Sequence, residues 1–119
     1  MSGAAWLVRD GRVLAALEVA ESLRGRTRGL LGRDGIDGAI LLRPARSVHT
    51  FGMHFAIDVA FCDADLRVVK VTRLRPNRVT LPVPRARCAI ETEAGLLARW
   101  GVAVGDELEV RAADGGDRS

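Results

Sequence analysis

Ser47-Val48-His49-Thr50-Phe51-Gly52-Met53-His54-Phe55-Ala56-Ile57-Asp58-Val59-Ala60-Phe61-Cys62-Asp63 is the stretch in which the unusual chemistry of this chain collects. Both histidines and all three phenylalanines fall here, with one of two methionines and one of two cysteines, in a sequence otherwise built mainly of Ala, Val, Leu, Gly and Arg. Its second half has the period of a strand. Ile57, Val59 and Phe61 share one face, and Asp58, Ala60 and Cys62 share the other. Both faces are apolar except at Asp58, which is therefore expected among small apolar neighbours and out of open water. Val48 to Phe51 forms a second extended piece, and Gly52 permits a bend between the two.

Downstream, Asp63-Ala64-Asp65 reads as a turn, and residues 66–71 return as the partner strand of a hairpin. Residues 73–84 hold Pro76, Asn77, Pro82 and Pro84, so an irregular or edge segment is expected, because proline cannot donate to a ladder. Residues 87–91 form another strand. A helix over 94–100 follows, terminated by Gly101. Residues 102–104, a Gly105-Asp106 turn and residues 108–110 close the fold.

Upstream, residues 39–42 are a short apolar run suited to a buried strand, which Pro44 ends. Gly32, Gly35 and Gly38 punctuate the loop before it. Ser22 can cap a helix that places Leu23, Thr27, Leu30 and Leu31 on one face. Gly25 and Gly29 weaken that helix by about 1 kcal/mol each relative to alanine, so it must depend on packing. Residues 6–20 read as a hairpin turning at Asp10-Gly11, a pair that tolerates positive φ at both central positions. Short strands separated by Gly and Pro turns predict a mainly β protein, α+β by strict count: a single compact antiparallel curved sheet or small barrel with two short helices. Residues 1–111 form one β-rich domain, and residues 112–119 have nothing to bury and are expected to be a disordered tail.

At 119 residues the chain is long enough for a core without disulfides or a structural metal. The apolar fraction of 48% with 28% charged residues belongs to a soluble globular protein, and no run is long enough to span a bilayer. A cytoplasmic location is the expectation, with no membrane partner. Arginine carries nearly all the positive charge, since Lys70 is the only lysine, and the cations are interleaved with acids. That pattern argues against a nucleic-acid partner. Cys62 and Cys88 match no zinc or redox spacing and are expected as reduced, buried thiols.

Three motifs together identify a family resemblance. They are Arg26-Thr27-Arg28-Gly29-Leu30-Leu31-Gly32-Arg33, then Phe51 through Phe61, then Glu91, Ala94-Gly95 and Gly101-Val102-Ala103-Val104-Gly105-Asp106. In order and spacing the chain resembles the small bacterial and archaeal domains grouped as domain of unknown function 192, over roughly residues 12–110. The helix motif of that family is Arg-x-x-Gly-Leu-Met-x-Arg, and here Leu31 stands for the methionine. The family's central motif runs Phe-Trp-Met-Lys-Asn-Thr before a Pro-Leu-Asp strand. Gly52 and His54 depart from it, and the interval from Met53 to Asp58 is shorter. The resemblance implies a compact β-rich fold with a polar cluster around Asp58, and no particular activity.

Asp58 is the leading candidate for function. An ionised carboxylate in an apolar strand costs several kcal/mol unless it is paired or accepts hydrogen bonds. Either it accepts backbone N–H groups of the bent segment 51–55 or pairs with an arginine of the helix and fixes the fold, or it faces a ligand. His49 and His54 would need a third and fourth donor to hold a metal, for which only Asp58, Cys62, Asp63 or a distant acid is available, and no recognised ligand spacing is met. No cofactor or metal is implied, nor any catalytic residue. The function expected is a noncatalytic small-ligand or peptide binding or accessory module, its partner a small molecule or protein, with a site lined by His49, Phe51, Met53, His54 and Asp58 and by Arg26 or Arg33 of the helix. The alternative is a metal-dependent or hydrolase-like enzyme using Asp58 and a histidine as acid and base.

Overall fold

The computed structural model describes residues 3–20 and 38–112. Seven strands form one sheet: β1 (Gly3–Arg9), β2 (Arg12–Ala20), β3 (Ala39–Leu42), β4 (Ile57–Cys62), β5 (Val68–Leu74), β6 (Cys88–Glu93) and β7 (Glu109–Ala112). One short helix, α1 (Leu96–Arg99), follows β6. The spatial order is β5-β4-β6-β3-β2-β1-β7. The mainly β class expected from the turn pattern is therefore the observed one. The expected helix from Ser22, with Arg26 and Arg33 of its motif, and most of the expected tail lie outside the described residues.

Two features refine the expected sheet. All neighbouring strands are antiparallel except β2 and β3, which run parallel with Leu17 opposite Ala39. A parallel pair needs a long return path, and residues 21–38 supply one. The sheet is also not a closed barrel: β5 and β7 are its two edges. They are tied together at one end only, where the Val68 and Leu108 N–H groups donate to the Asp106 and Leu66 carbonyls at 2.8 and 3.0 Å. Arg67 and Glu107 pair there as an isolated bridge.

The turns follow their residue chemistry. Asp10 and Gly11 both have positive φ, 52° and 78°, as a tight hairpin turn requires. At the β4–β5 turn, Asp63 Oδ1 accepts the N–H groups of Asp65 and Arg67 at 2.9 and 3.0 Å. The bond from Arg67 is the main reason the Asp63 carboxyl lies below the usual carboxylate range. Residues 102–104 are not the expected strand: the Ala103 N–H donates to Asp106 Oδ2 at 2.8 Å, and Gly105 turns with φ 98°. Strand β5 instead runs on to Leu74, which moves Arg73 out of the expected irregular segment and into the ladder.

All six residues of β4 are buried, because it lies between β5 and β6 and is covered on both faces. Ile57, Val59 and Phe61 pack with Ile40, Leu42, Val48 and Met53 on one face. Ala60 and Cys62 pack with Leu7, Leu41, Ile90 and Leu97 on the other. Two cores thus share one central strand, and the two-faced apolar pattern of residues 57–62 is its cause.

Candidate functional site

Residues 48–53 do not form a regular strand. They are stitched to residues 75–80 through Thr50, a fully buried residue. Its N–H donates to the Arg78 carbonyl at 2.8 Å, and its carbonyl accepts from Asn77 and Met53 at 2.9 and 3.1 Å. Its hydroxyl donates to the Arg75 carbonyl at 2.6 Å and accepts the Arg78 N–H at 2.9 Å. Asn77, at φ 61°, returns its side-chain oxygen to the Gly52 N–H at 2.9 Å. The polar groups of this proline-containing stretch are thereby satisfied without a ladder.

The stitching sorts the side chains by alternation. Val48 and Thr50 turn inward, while His49 pairs across the ribbon with Val79 on the outward side. The His49 ring stacks on Phe51, centroids 5.0 Å apart and planes 23° from parallel, and His49 Nδ1 accepts the Phe51 N–H at 3.3 Å. Phe51, Val79 and Leu81 are 52%, 59% and 82% exposed. Met53 goes the other way and is buried in the core beside Val59. His54 is exposed.

Asp58 lies on the opposite face of the sheet from Met53. Its Oδ1 accepts from Arg73 Nε at 2.8 Å, and its Oδ2 accepts the Gly95 N–H at 2.8 Å. Arg73 is its register partner on β5. Gly95, at φ 98°, begins α1, which has no side-chain cap of its own. One buried carboxylate therefore joins the β4–β5 ladder to the entrance of the helix, where backbone N–H groups need acceptors. The hydrogen bond to Asp58, aided by its charge, raises the pKa of the Arg73 guanidinium. A shallow cleft of about 330 Å³ bounded by Val71, Leu97 and Val102 opens beside the pair.

The predicted residues thus separate into three environments. His49 and Phe51 come together on an exposed ledge, Met53 enters the core, and Asp58 binds Arg73 and Gly95 rather than a histidine. Thr50, Arg73, Gly95, Val79 and Leu81 were not among the residues expected from the sequence. Asn77 directly after Pro76 is the one local signal that points to the Thr50 stitching, since Pro-Asn favours a turn and Asn tolerates positive φ. Glu91 is also fully buried, opposite Val59 and Ile40 on the Met53 side of the sheet. Among the described residues no three His, Cys, Asp or Glu side chains gather as a metal site.

Cys62 and Cys88 are direct cross-strand partners and both are buried and free. A hydrogen bond with Cys88, reinforced by burial, raises the Cys62 thiol far above the usual range. The nucleophile is the thiolate, so native protein at pH 8 should take up no iodoacetamide at Cys62, and both cysteines should be alkylated in denaturant. Peptide mapping of the alkylated sites checks this; rapid labelling of Cys62 in the folded protein would contradict the packing.

An open, curled sheet with a single short helix among the described residues defines a small β-rich domain. The chain belongs to the family described as Uncharacterized ACR, domain of unknown function 192, whose model matches residues 5–110. It is 34% identical over 98 residues to the UPF0127 protein PH1112 of Pyrococcus horikoshii, covering 78% of this chain and 85% of that one. It is 35% identical over 98 residues to the UPF0127 protein PYRAB11210 of Pyrococcus abyssi, covering 78% and 84%. A solved structure of a candidate transcription regulator from Sinorhizobium meliloti 1021 is similar in fold, with a TM-score of 0.72 and 23% identity over 92% of this chain and 94% of that one. A protein of unknown function from Novosphingobium aromaticivorans superposes with a TM-score of 0.71 and 20% identity, over 89% and 83%. No helix among the described residues is long and apolar enough to cross a membrane.

Proposed function

We propose that the domain is a noncatalytic binding module that takes an extended peptide of alternating apolar and acidic side chains on the outward side of the 46–50/78–83 ribbon. The carrying observation is the exposure of Phe51, Val79 and Leu81 beside the stacked His49 ring, on a backbone immobilised by the Thr50 and Asn77 hydrogen bonds. Exposed apolar side chains on a fixed backbone favour binding, because little conformational entropy is left to lose.

Charge supplies the acidic half of the preference. Arg46, Arg75 and Arg78 border the ledge, and none forms an ion pair among the described residues. Arg46 and Arg78 donate only to backbone carbonyls. Their charge is thus available to a partner. The acid–base alternative has less support, because both Asp58 oxygens are already engaged by Arg73 and Gly95.

Fluorescence anisotropy with a labelled hexapeptide alternating Glu and Leu, against a Lys-for-Glu counterpart, tests the reading. The Glu peptide should bind, more weakly at high salt, and the Lys peptide should not. The variants Leu81→Asp and Phe51→Ser should abolish binding with a change in stability of about 0.5 kcal/mol or less, as exposed substitutions do. Equal behaviour of the two peptides, or binding untouched by Leu81→Asp, would rule the ledge out.

A further inference from the structure

We infer that the protein carries a second binding site, for a planar organic anion, in the cleft between the β1–β2 turn and the end of α1. The cleft encloses about 460 Å³ and is walled by Arg9, Arg12, Leu14, Arg99 and Trp100, with Asp10 at the turn. Its size is that of ordinary small-molecule sites. Two parts of the chain distant in sequence, the β1–β2 hairpin and α1 with its cap, bring arginine side chains and an indole ring to one concavity.

The three arginines have different roles. Arg9 is fixed: Nη1 donates to the Gly101 carbonyl and to Asp106 Oδ2, the latter at 3.2 Å. It packs so closely on the Gly101 backbone that a Cβ there would come within 3.3 Å of Nη2. Asp106 neutralises much of its charge, and it serves as a rigid wall. Arg12 and Arg99 form no ion pair among the described residues, and both are exposed. Three guanidiniums against the carboxylates of Asp10 and Asp106 leave the cleft net positive.

The chemistry of these walls selects the ligand class. Guanidinium groups recognise carboxylate and phosphate through paired N–H donors. The indole of Trp100, partly buried at the helix cap, lines the cleft and is the group there against which a flat ring would pack. Arg99 in the last turn of α1 would by itself be explained by the negative end of the helix. That explanation requires neither the concavity nor the presence of Arg12 in the same cleft lining from another element. An aromatic or heterocyclic ring bearing one carboxylate or phosphate satisfies all of these features.

Tryptophan fluorescence of the full chain provides the measurement, with adenosine 5′-monophosphate and benzoate as phosphate and carboxylate probes and uncharged adenosine as control. At least one anion should give saturable quenching and adenosine none. The double variant Arg12→Gln/Arg99→Gln, exposed positions that leave the core intact, should weaken binding by about tenfold or more, the loss expected for a charge-assisted pair. Trp100→Phe should remove the quenching, with Trp6 remaining as the internal reference. Leu81→Asp should leave the anion affinity unchanged, which separates this site from the ledge. Absence of saturable binding by both anions, or an unchanged affinity in the arginine double variant, overturns the site.

Discussion

Asp58→Ala is expected to destabilise the domain by about 3 kcal/mol, the sum of a lost charge-assisted bond and a stranded, half-buried donor. The donor is the Gly95 N–H, which has the Asp58 carboxylate as its acceptor at the entrance to α1. For a domain of this size the loss corresponds to a fall in Tm of roughly 10 °C. Asp58→Asn keeps an oxygen for Gly95 but cannot pair in charge with Arg73, so it should fall between wild type and alanine. Urea denaturation orders the three proteins. If Asp58→Ala unfolds at the wild-type midpoint, the carboxylate does not hold β4, β5 and α1 together, and a ligand-facing role becomes the better account. Loss of α1 packing should show at Leu97, which is buried in the core it shares with Leu7, Leu41 and Ile90.

A comparably large effect is expected at Gly38, for a reason unrelated to charge. Gly38 has φ 80°, and a Cβ there would lie 2.4 Å from the Ala16 carbonyl oxygen, where β3 begins against β2. Backbone cannot yield as a flexible side chain would. Gly11 provides the control, since it has φ 78° and nothing within 4 Å of the same added atom. Gly11→Ala should therefore cost only the left-handed conformational penalty, about 1–2 kcal/mol. Gly38→Ala should add an overpacking term of about 1–3 kcal/mol. Equal denaturation midpoints for the two variants would show that the β2–β3 approach relaxes freely.

Local alternation and turn chemistry make much of this fold legible in the sequence alone. Residues 57–62 announced a strand apolar on both faces, and Asp10-Gly11 announced its hairpin, because each property resides in a few adjacent residues. The β2–β3 parallel pairing was not readable, since it depends on a connection whose length is compatible with either direction. The same holds for the partners of Asp58. Arginine was one of the expected candidates for pairing, but the sequence pointed to the helix motif and the bent segment, whereas the observed donors are Arg73 and Gly95. Both are long-range contacts, set by register and by a helix entrance that no short window contains. The opening stretch was also expected to converge on one site. Alternation about the bend at Gly52 separates its members instead, sending Met53 inward and leaving Phe51 exposed.

The strand order carries a consequence for how the protein is made. β7 pairs with β1, the last strand with the first, Ala5 lying opposite Ala112. The β1–β2 and β4–β5 hairpins close through short turns and can form as soon as their residues emerge from the ribosome. The β1 edge must wait for nearly the whole chain to be synthesised, with its unpaired N–H and C=O groups exposed in the interval. A nascent chain stalled before residue 109 therefore lacks the β7 residues that cover the β1 edge in the finished protein.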